Sequence, residues 1–269
     1  MKHVIIAMLA SVGAVTASVP ASAVTFGQPD GNAHPFVGTI LFKTVDGYFS
    51  CTATLMSPTV LLTAGHCTSS GGVPNLRTWA TFAPTISLAG IRDYPSIDEY
   101  FDDPVNGWVS GTSTPHPQFD DYAEFPKTYD IGVVVLDTAT PMGTYAELPP
   151  IDFLTTIRRA PDNKFTVVGY GMQGLIPAFY SDIYARYNGQ LKLHELKSTL
   201  NSGMSAKFSN NPGTGGGTCY GDSGGPIFYG ATNMVVAVVS FGTTPCIGID
   251  FNFRADIPLA QDFLEPFLE

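Results

Sequence analysis

The β-branched and aromatic residues of this chain come in short runs, at 39–43, 48–55, 60–63, 78–82, 165–169, 226–229 and 234–241, separated by Gly, Pro and Ser. None reaches the length of an ordinary helix. The 28 Gly and 21 Pro, set against only 13% charged residues, suit many strands joined by turns. Ile131-Gly-Val-Val-Val-Leu136 reads as a dense buried strand, and 190–200 as another. Only 257–268 has helical spacing, through Ile257, Ala260, Phe263, Leu264 and Leu268. The class is therefore all-β. Two antiparallel barrels with a terminal helix fit the layout, and one irregular β-sandwich is the alternative. A crossing between halves is expected at 139–144, and the segment 89–127 reads as long surface excursions whose aromatics pack locally.

The formal net charge of -10, with 13 scattered Lys and Arg, excludes a phosphate-binding surface and hence a nucleic-acid partner. Residues 1–23 combine Lys2 and His3, an apolar stretch from Val4 to about Val15, and Ala21-Ser22-Ala23, the pattern of a secretory signal. That apolar stretch is too short to span a bilayer, which takes roughly 20 residues, and no later stretch approaches the length. The expected protein is extracellular, not membrane-bound after signal removal, and monomeric. Export puts Cys51, Cys67, Cys219 and Cys246 in an oxidising compartment, where four cysteines allow three pairings. No CxxC pair is present, and His194-Glu195 lacks a second histidine four residues on, so neither a metal nor a cofactor is expected.

Cys219-Tyr-Gly-Asp-Ser-Gly-Gly-Pro-Ile-Phe228 sets one serine among glycines just before a strand. A serine hydroxyl is a poor nucleophile without a base beside it and a third group to orient that base. His3 leaves with the signal, His34 and His116 precede prolines, and His194 lies in a mixed polar strand. His66 differs, because Val60-Leu-Leu-Thr-Ala-Gly-His-Cys67 runs an apolar strand straight into it. Asp130 stands at the mouth of the apolar strand 131–136, where a carboxylate costs several kcal/mol to desolvate unless donors meet it. Asp102, Asp103, Asp120 and Asp121 sit in polar stretches that suit solvated surface.

Taken together, Thr63-Ala-Gly-His-Cys67, Asp130-Ile-Gly-Val-Val-Val-Leu136 and Gly221-Asp-Ser-Gly-Gly-Pro226 resemble the trypsin/chymotrypsin-like serine proteases, in the chain order His, Asp, Ser. Val168-Gly-Tyr-Gly171 and Val239-Ser-Phe-Gly242 extend the resemblance across nearly all of the chain after the signal. It implies two six-stranded antiparallel β-barrels with the site between them, 24–145 carrying His66 and Asp130 and 146–269 carrying Ser223. It implies a secreted endopeptidase acting on proteins or peptides, with His66 as base, Asp130 orienting it, and Ser223 as nucleophile. The N–H groups of Gly221 and Ser223 would form the oxyanion hole, and Ser240, Phe241 and Gly242 would pair with substrate backbone. It also implies bridges from Cys51 to Cys67 and from Cys219 to Cys246, and an ion pair between Asp222 and the amine of Val24, freed by cleavage after Ala23. Gly217 falls where trypsins carry the acid that binds Arg or Lys. With Thr218 beside it the pocket is expected to be neutral and to prefer an apolar residue, and Asp250 is a candidate to intrude from the far wall. A catalytically silent binding or adhesion protein and an esterase are the competing readings.

Overall fold

The computed structural model describes residues 24–157, 164–172, 184–243 and 246–269; the expected signal segment lies outside them. The strands Val37–Lys43, Tyr48–Leu55, Val60–Thr63, Gly132–Leu136, Val109–Pro115 and Arg77–Thr81 pair in that order and close into a six-stranded antiparallel barrel. Val60–Thr63 is buried at all four positions, and Val133 and Val134 pair with it at Leu62 and Leu61. A strand buried on both faces needs apolar residues without alternation, which is why these two runs were so plain in the sequence.

The second half is an eight-stranded sheet in the order Gln28–Pro29, Tyr187–Leu191, Phe165–Gly169, Pro226–Tyr229, Val235–Gly242, Gly248–Arg254, Ser205–Asn210, Leu193–Glu195. Tyr187–Leu191 and Leu193–Glu195, at opposite sides of this ladder, are consecutive in the chain and meet at Lys192. The Lys192 carbonyl accepts from the Ser209 N–H at 2.9 Å, and its own N–H donates to Ser209 Oγ at 2.9 Å. The sheet thus curls round onto one length of chain, as a half-barrel beside the closed one. The strand expected at 190–200 begins earlier, breaks at Lys192 and stops at Glu195, where turns at 196–204 begin.

Two features tie the halves together. Gln28–Pro29 joins the second sheet although it precedes the first barrel. Conversely, the terminal helix Pro258–Leu268 sends Ala260 and Leu264 into an apolar core shared with Phe36, Leu55, Val235 and Phe253. No described helix is long and apolar enough to cross a membrane.

The segment 89–127 is more ordered than a surface excursion. It contains the barrel strand Val109–Pro115, whose sequence VSGTSTP has no apolar period and which is held by ladder hydrogen bonds on both sides. It also contains the helix Ile97–Asp102, capped by Ser96, whose Oγ accepts from the Glu99 N–H at 3.2 Å. Its aromatics do pack locally, with Tyr100, Phe101 and Trp108 buried around Trp79.

Candidate active site

Antiparallel register brings His66 and Asp130 to one end of the closed barrel. Thr63 pairs with Gly132, so the chain leaving Val60–Thr63 and the chain entering Gly132–Leu136 emerge side by side. His66 sits on the single 3-10 turn Gly65–Cys67, which the disulfide Cys51–Cys67 fastens to the neighbouring strand with 6.1 Å between Cα atoms. On a chain-entropy estimate a loop of this length contributes about 3 kcal/mol. Both thiols are consumed in that bridge, so their closeness to the His66 ring is no metal site.

Asp130 is fully buried and its two oxygens are thoroughly met. Oδ1 accepts from the His66 backbone N–H at 2.9 Å, and Oδ2 lies 3.0 Å from His66 Nδ1. Oδ2 also accepts from the Tyr122 hydroxyl at 2.8 Å and from the Ser240 hydroxyl, which arrives from the second half. Burial alone would raise the Asp130 carboxyl, but the His66 charge and these hydrogen bonds outweigh it and hold the group below its usual range. Burial likewise pulls His66 down, and the charge and hydrogen bond of Asp130 reverse this, leaving the imidazole above its ordinary value. Tyr122 was not singled out in the sequence, where it is one aromatic in a polar stretch. Its hydroxyl pKa is pushed up by burial and by the adjacent Asp130 charge.

Ser223 sits on the loop between Cys219 and Pro226, across the crevice from His66. Its carbonyl accepts from the Thr52 N–H at 2.8 Å, and Thr52 Oγ1 donates to the Gly221 carbonyl at 2.9 Å, so a first-barrel strand holds the serine loop. Gly221 has φ +96°, and a Cβ there would lie 2.9 Å from the Gly171 Cα, so the bare backbone is required twice over. Next to it, Asp222 is fully buried and accepts N–H bonds from Gly171 at 2.8 Å and Cys219 at 2.9 Å. Burial lifts its carboxyl to about 7, since two amide dipoles do not replace water or a cation. Val24 is buried in the second core, and the Thr25 carbonyl accepts from the Gly217 N–H at 3.0 Å.

His66, Tyr220 and Ser223 line two cavities. The smaller, about 360 Å³, is walled by Thr218, Phe241, Gly242 and the Cys219–Cys246 bridge, and Asp250 lines it from the Gly248–Arg254 strand. Gly217 contributes no acid, and a Cβ there would fall 1.6 Å from Asn210 Oδ1. An acid nevertheless stands in its wall. Asp250 is buried, accepting from Thr218 Oγ1 at 2.6 Å and Asn210 Nδ2 at 2.9 Å, with no cationic partner among the described residues. Burial raises its carboxyl despite these bonds. The register that pairs Gly242 with Asp250 brings this acid to the wall. The larger cavity, about 580 Å³, lies on the other side of Ser223 and includes Gly221 and Cys51.

Comparison with known proteins agrees with this fold. The profile of the trypsin family matches residues 24–262. The chain is 28% identical over 232 residues to a trypsin of Saccharopolyspora erythraea, covering 80% of this chain and 86% of the relative. Among solved structures, HL collagenase superposes with a TM-score of 0.66 at 16% identity, over 91% of this chain and 98% of the other. Human heparin binding protein does so with a TM-score of 0.62 at 18% identity, over 90% and 96%. With a family match over almost the whole described chain and a fold to go with it, the protein belongs to the trypsin family of serine peptidases.

Proposed function

We propose that the chain is a secreted endopeptidase that cleaves peptide bonds through an acyl-enzyme on Ser223. The observation that carries this is the 3.0 Å contact of His66 Nδ1 with buried Asp130, which leaves Nε2 as the free ring nitrogen beside a crevice shared with Ser223. Nδ1–H directed at a carboxylate is the tautomer a base needs. His66 takes the Ser223 proton as Oγ attacks the scissile carbonyl, and returns it to the leaving amine. The Gly221 and Ser223 N–H groups receive the developing oxyanion, each such donor being worth about 2.7–4 kcal/mol in the transition state. Water then attacks the ester by the same route.

In this reading the two buried acids without cations are two halves of a recognition problem. Asp222 awaits the Val24 amine released by cleavage after Ala23, and Asp250 awaits the substrate. The apolar walls of the smaller cavity suit a long aliphatic or aromatic side chain, and Asp250 suits one that ends in a cation. Lysine and arginine are therefore added to the apolar preference that Gly217 implied. A fluorophosphonate probe tests the function: it should label the mature protein and fail on Ser223→Ala. A folded but unlabelled wild type would favour a binding role instead, a reading kept open by the fold shared with heparin binding protein. Parallel assays on ester and peptide substrates separate an esterase from a peptidase.

A further inference from the structure

The excursion between the strands Arg77–Thr81 and Val109–Pro115 carries a satellite core of its own. Phe101 meets Trp108 edge-on at 4.7 Å between ring centroids and Tyr100 at 5.1 Å. Asp98 pins this unit to the first barrel, accepting from Lys43 Nζ and from the Tyr48 hydroxyl at 2.6 Å each. The aromatic core does not close over on the side facing Ser223. There the 580 Å³ cavity is floored by Leu41, Phe101 and Trp108 and rimmed by Phe49, Leu88 and Tyr184, which are 48%, 38% and 50% exposed. Large apolar side chains left in water around a concavity mark a binding surface. No Lys, Arg, Asp or Glu lines it among the described residues.

The position of this cavity along a substrate follows from its neighbours. Ser240, Phe241 and Gly242, whose pairing with substrate backbone the resemblance implies, line the smaller and not the larger cavity, and in the hydrolase reading the acyl portion of the substrate lies along them. The larger cavity shares His66 and Ser223 with it but extends the opposite way, over Cys51 and toward Phe49. A peptide crossing Ser223 must lay its leaving portion in that direction.

We propose that the excursion makes this cavity a leaving-group subsite that selects peptides with large apolar, above all aromatic, residues just after the scissile bond. The inference rests on the hydrolase reading above. An aromatic side chain covers the exposed rim and meets the ring edges of the floor. A charged one loses its water there without gaining a partner, and an acidic one also approaches a chain of formal net charge -10.

Acyl transfer tests the subsite directly. Ser223 Oγ displaces the alcohol of a simple ester, and the acyl-enzyme is offered dipeptide amides in competition with water. The added amine forms the new amide bond as the Ser223 ester bond breaks, its proton passing through His66 to Ser223 Oγ. Phenylalanyl-leucinamide should intercept the acyl group at least tenfold more efficiently than glycyl-glycinamide, and aspartyl-glycinamide less than either. Equal interception by the three overturns the subsite while leaving the hydrolase reading intact, whereas no ester turnover at all overturns both. Phe49→Ser combined with Leu88→Ser removes two exposed rim residues, of which Phe49 stacks on the core residue Phe42 with 6.0 Å between ring centroids, and should cut the phenylalanyl-to-glycyl ratio several-fold in a protein whose melting temperature shows it folded. An unchanged ratio would also overturn the assignment.

Discussion

The Tyr122 hydroxyl donates to Asp130 Oδ2 at 2.8 Å, and its oxygen also lies 3.1 Å from His66 Nδ1. Asp121 and Tyr122 both have positive φ, 54° and 66°, a backbone that side-chain-bearing residues adopt at a cost, here in service of aiming this ring. The hydroxyl withdraws negative charge from the carboxylate that sustains imidazolium. Tyr122→Phe should therefore raise the His66 pKa, moving the acid limb of kcat/KM to higher pH by up to about 0.7 unit, the equivalent of one hydrogen bond of about 1 kcal/mol. An acid limb that stays put, or falls, would contradict this. On the proposed mechanism the wild-type limb should itself fall above the ordinary histidine value, because a base must be neutral and Asp130 favours the charged ring.

The proposed cleavage after Ala23 would carry a pH signature at Asp222. Its folded pKa of about 7 is above the unfolded value, so a chain with Val24 still in amide linkage is most stable below the unfolded pKa. Stability is then lost as pH rises toward 7. A shift of this size corresponds to a difference on the order of 4 kcal/mol. Denaturation measured from pH 4 to 8 on uncleaved protein should show that decline, and Asp222→Asn should flatten it. Free Val24 amine should flatten it too, by pairing with the carboxylate.

Asp250→Asn keeps the shape of the smaller cavity and removes its charge. Cleavage after lysine or arginine should fall at least tenfold relative to cleavage after leucine or phenylalanine, the fold corresponding to about 1.4 kcal/mol. Competition between paired peptides in one tube reads this ratio directly, and an unaltered ratio would remove Asp250 from specificity.

Arg186 is fully buried, with Nε donating to Asp30 Oδ2 at 3.0 Å and Nη1 to the Val37 carbonyl at 2.9 Å. It also reaches Tyr170 Oη at 3.2 Å, joining the 24–36 segment, the first barrel and the loop beside Asp222. Arg186→Met should destabilise by about 3 kcal/mol, since it removes the buried guanidinium from Asp30 and leaves the Val37 carbonyl without that donor. Asp30 is held at about 2: burial works against its charge, and His34, 2.6 Å away, outweighs that. Its folded pKa is depressed, so its contribution is present above the unfolded value and lost as pH falls toward 2. Urea melts at pH 7 and pH 3 measure both effects.

The sequence by itself determined the strand-rich class, because runs such as 60–63 and 131–136 are apolar on both faces and have no other stable setting. It also named His66, Asp130 and Ser223 as chemistry-bearing, since each interrupts or abuts a pattern that has no local use for it. The tertiary structure decided what local pattern could not encode. Val109–Pro115 is polar yet becomes a barrel strand, because backbone ladders hold it without an apolar face. Tyr122 and Arg186 look ordinary in their own segments, and while the resemblance pointed to Ser240 and Asp250, it did not supply their hydrogen-bond partners. The partners of Tyr122, Ser240, Asp250 and Arg186 lie 8, 110, 32 and 156 residues away in the chain. Hydrogen bonds and charges act over a few ångströms in space, so the register of the sheets and the packing of the loops choose which distant residues meet.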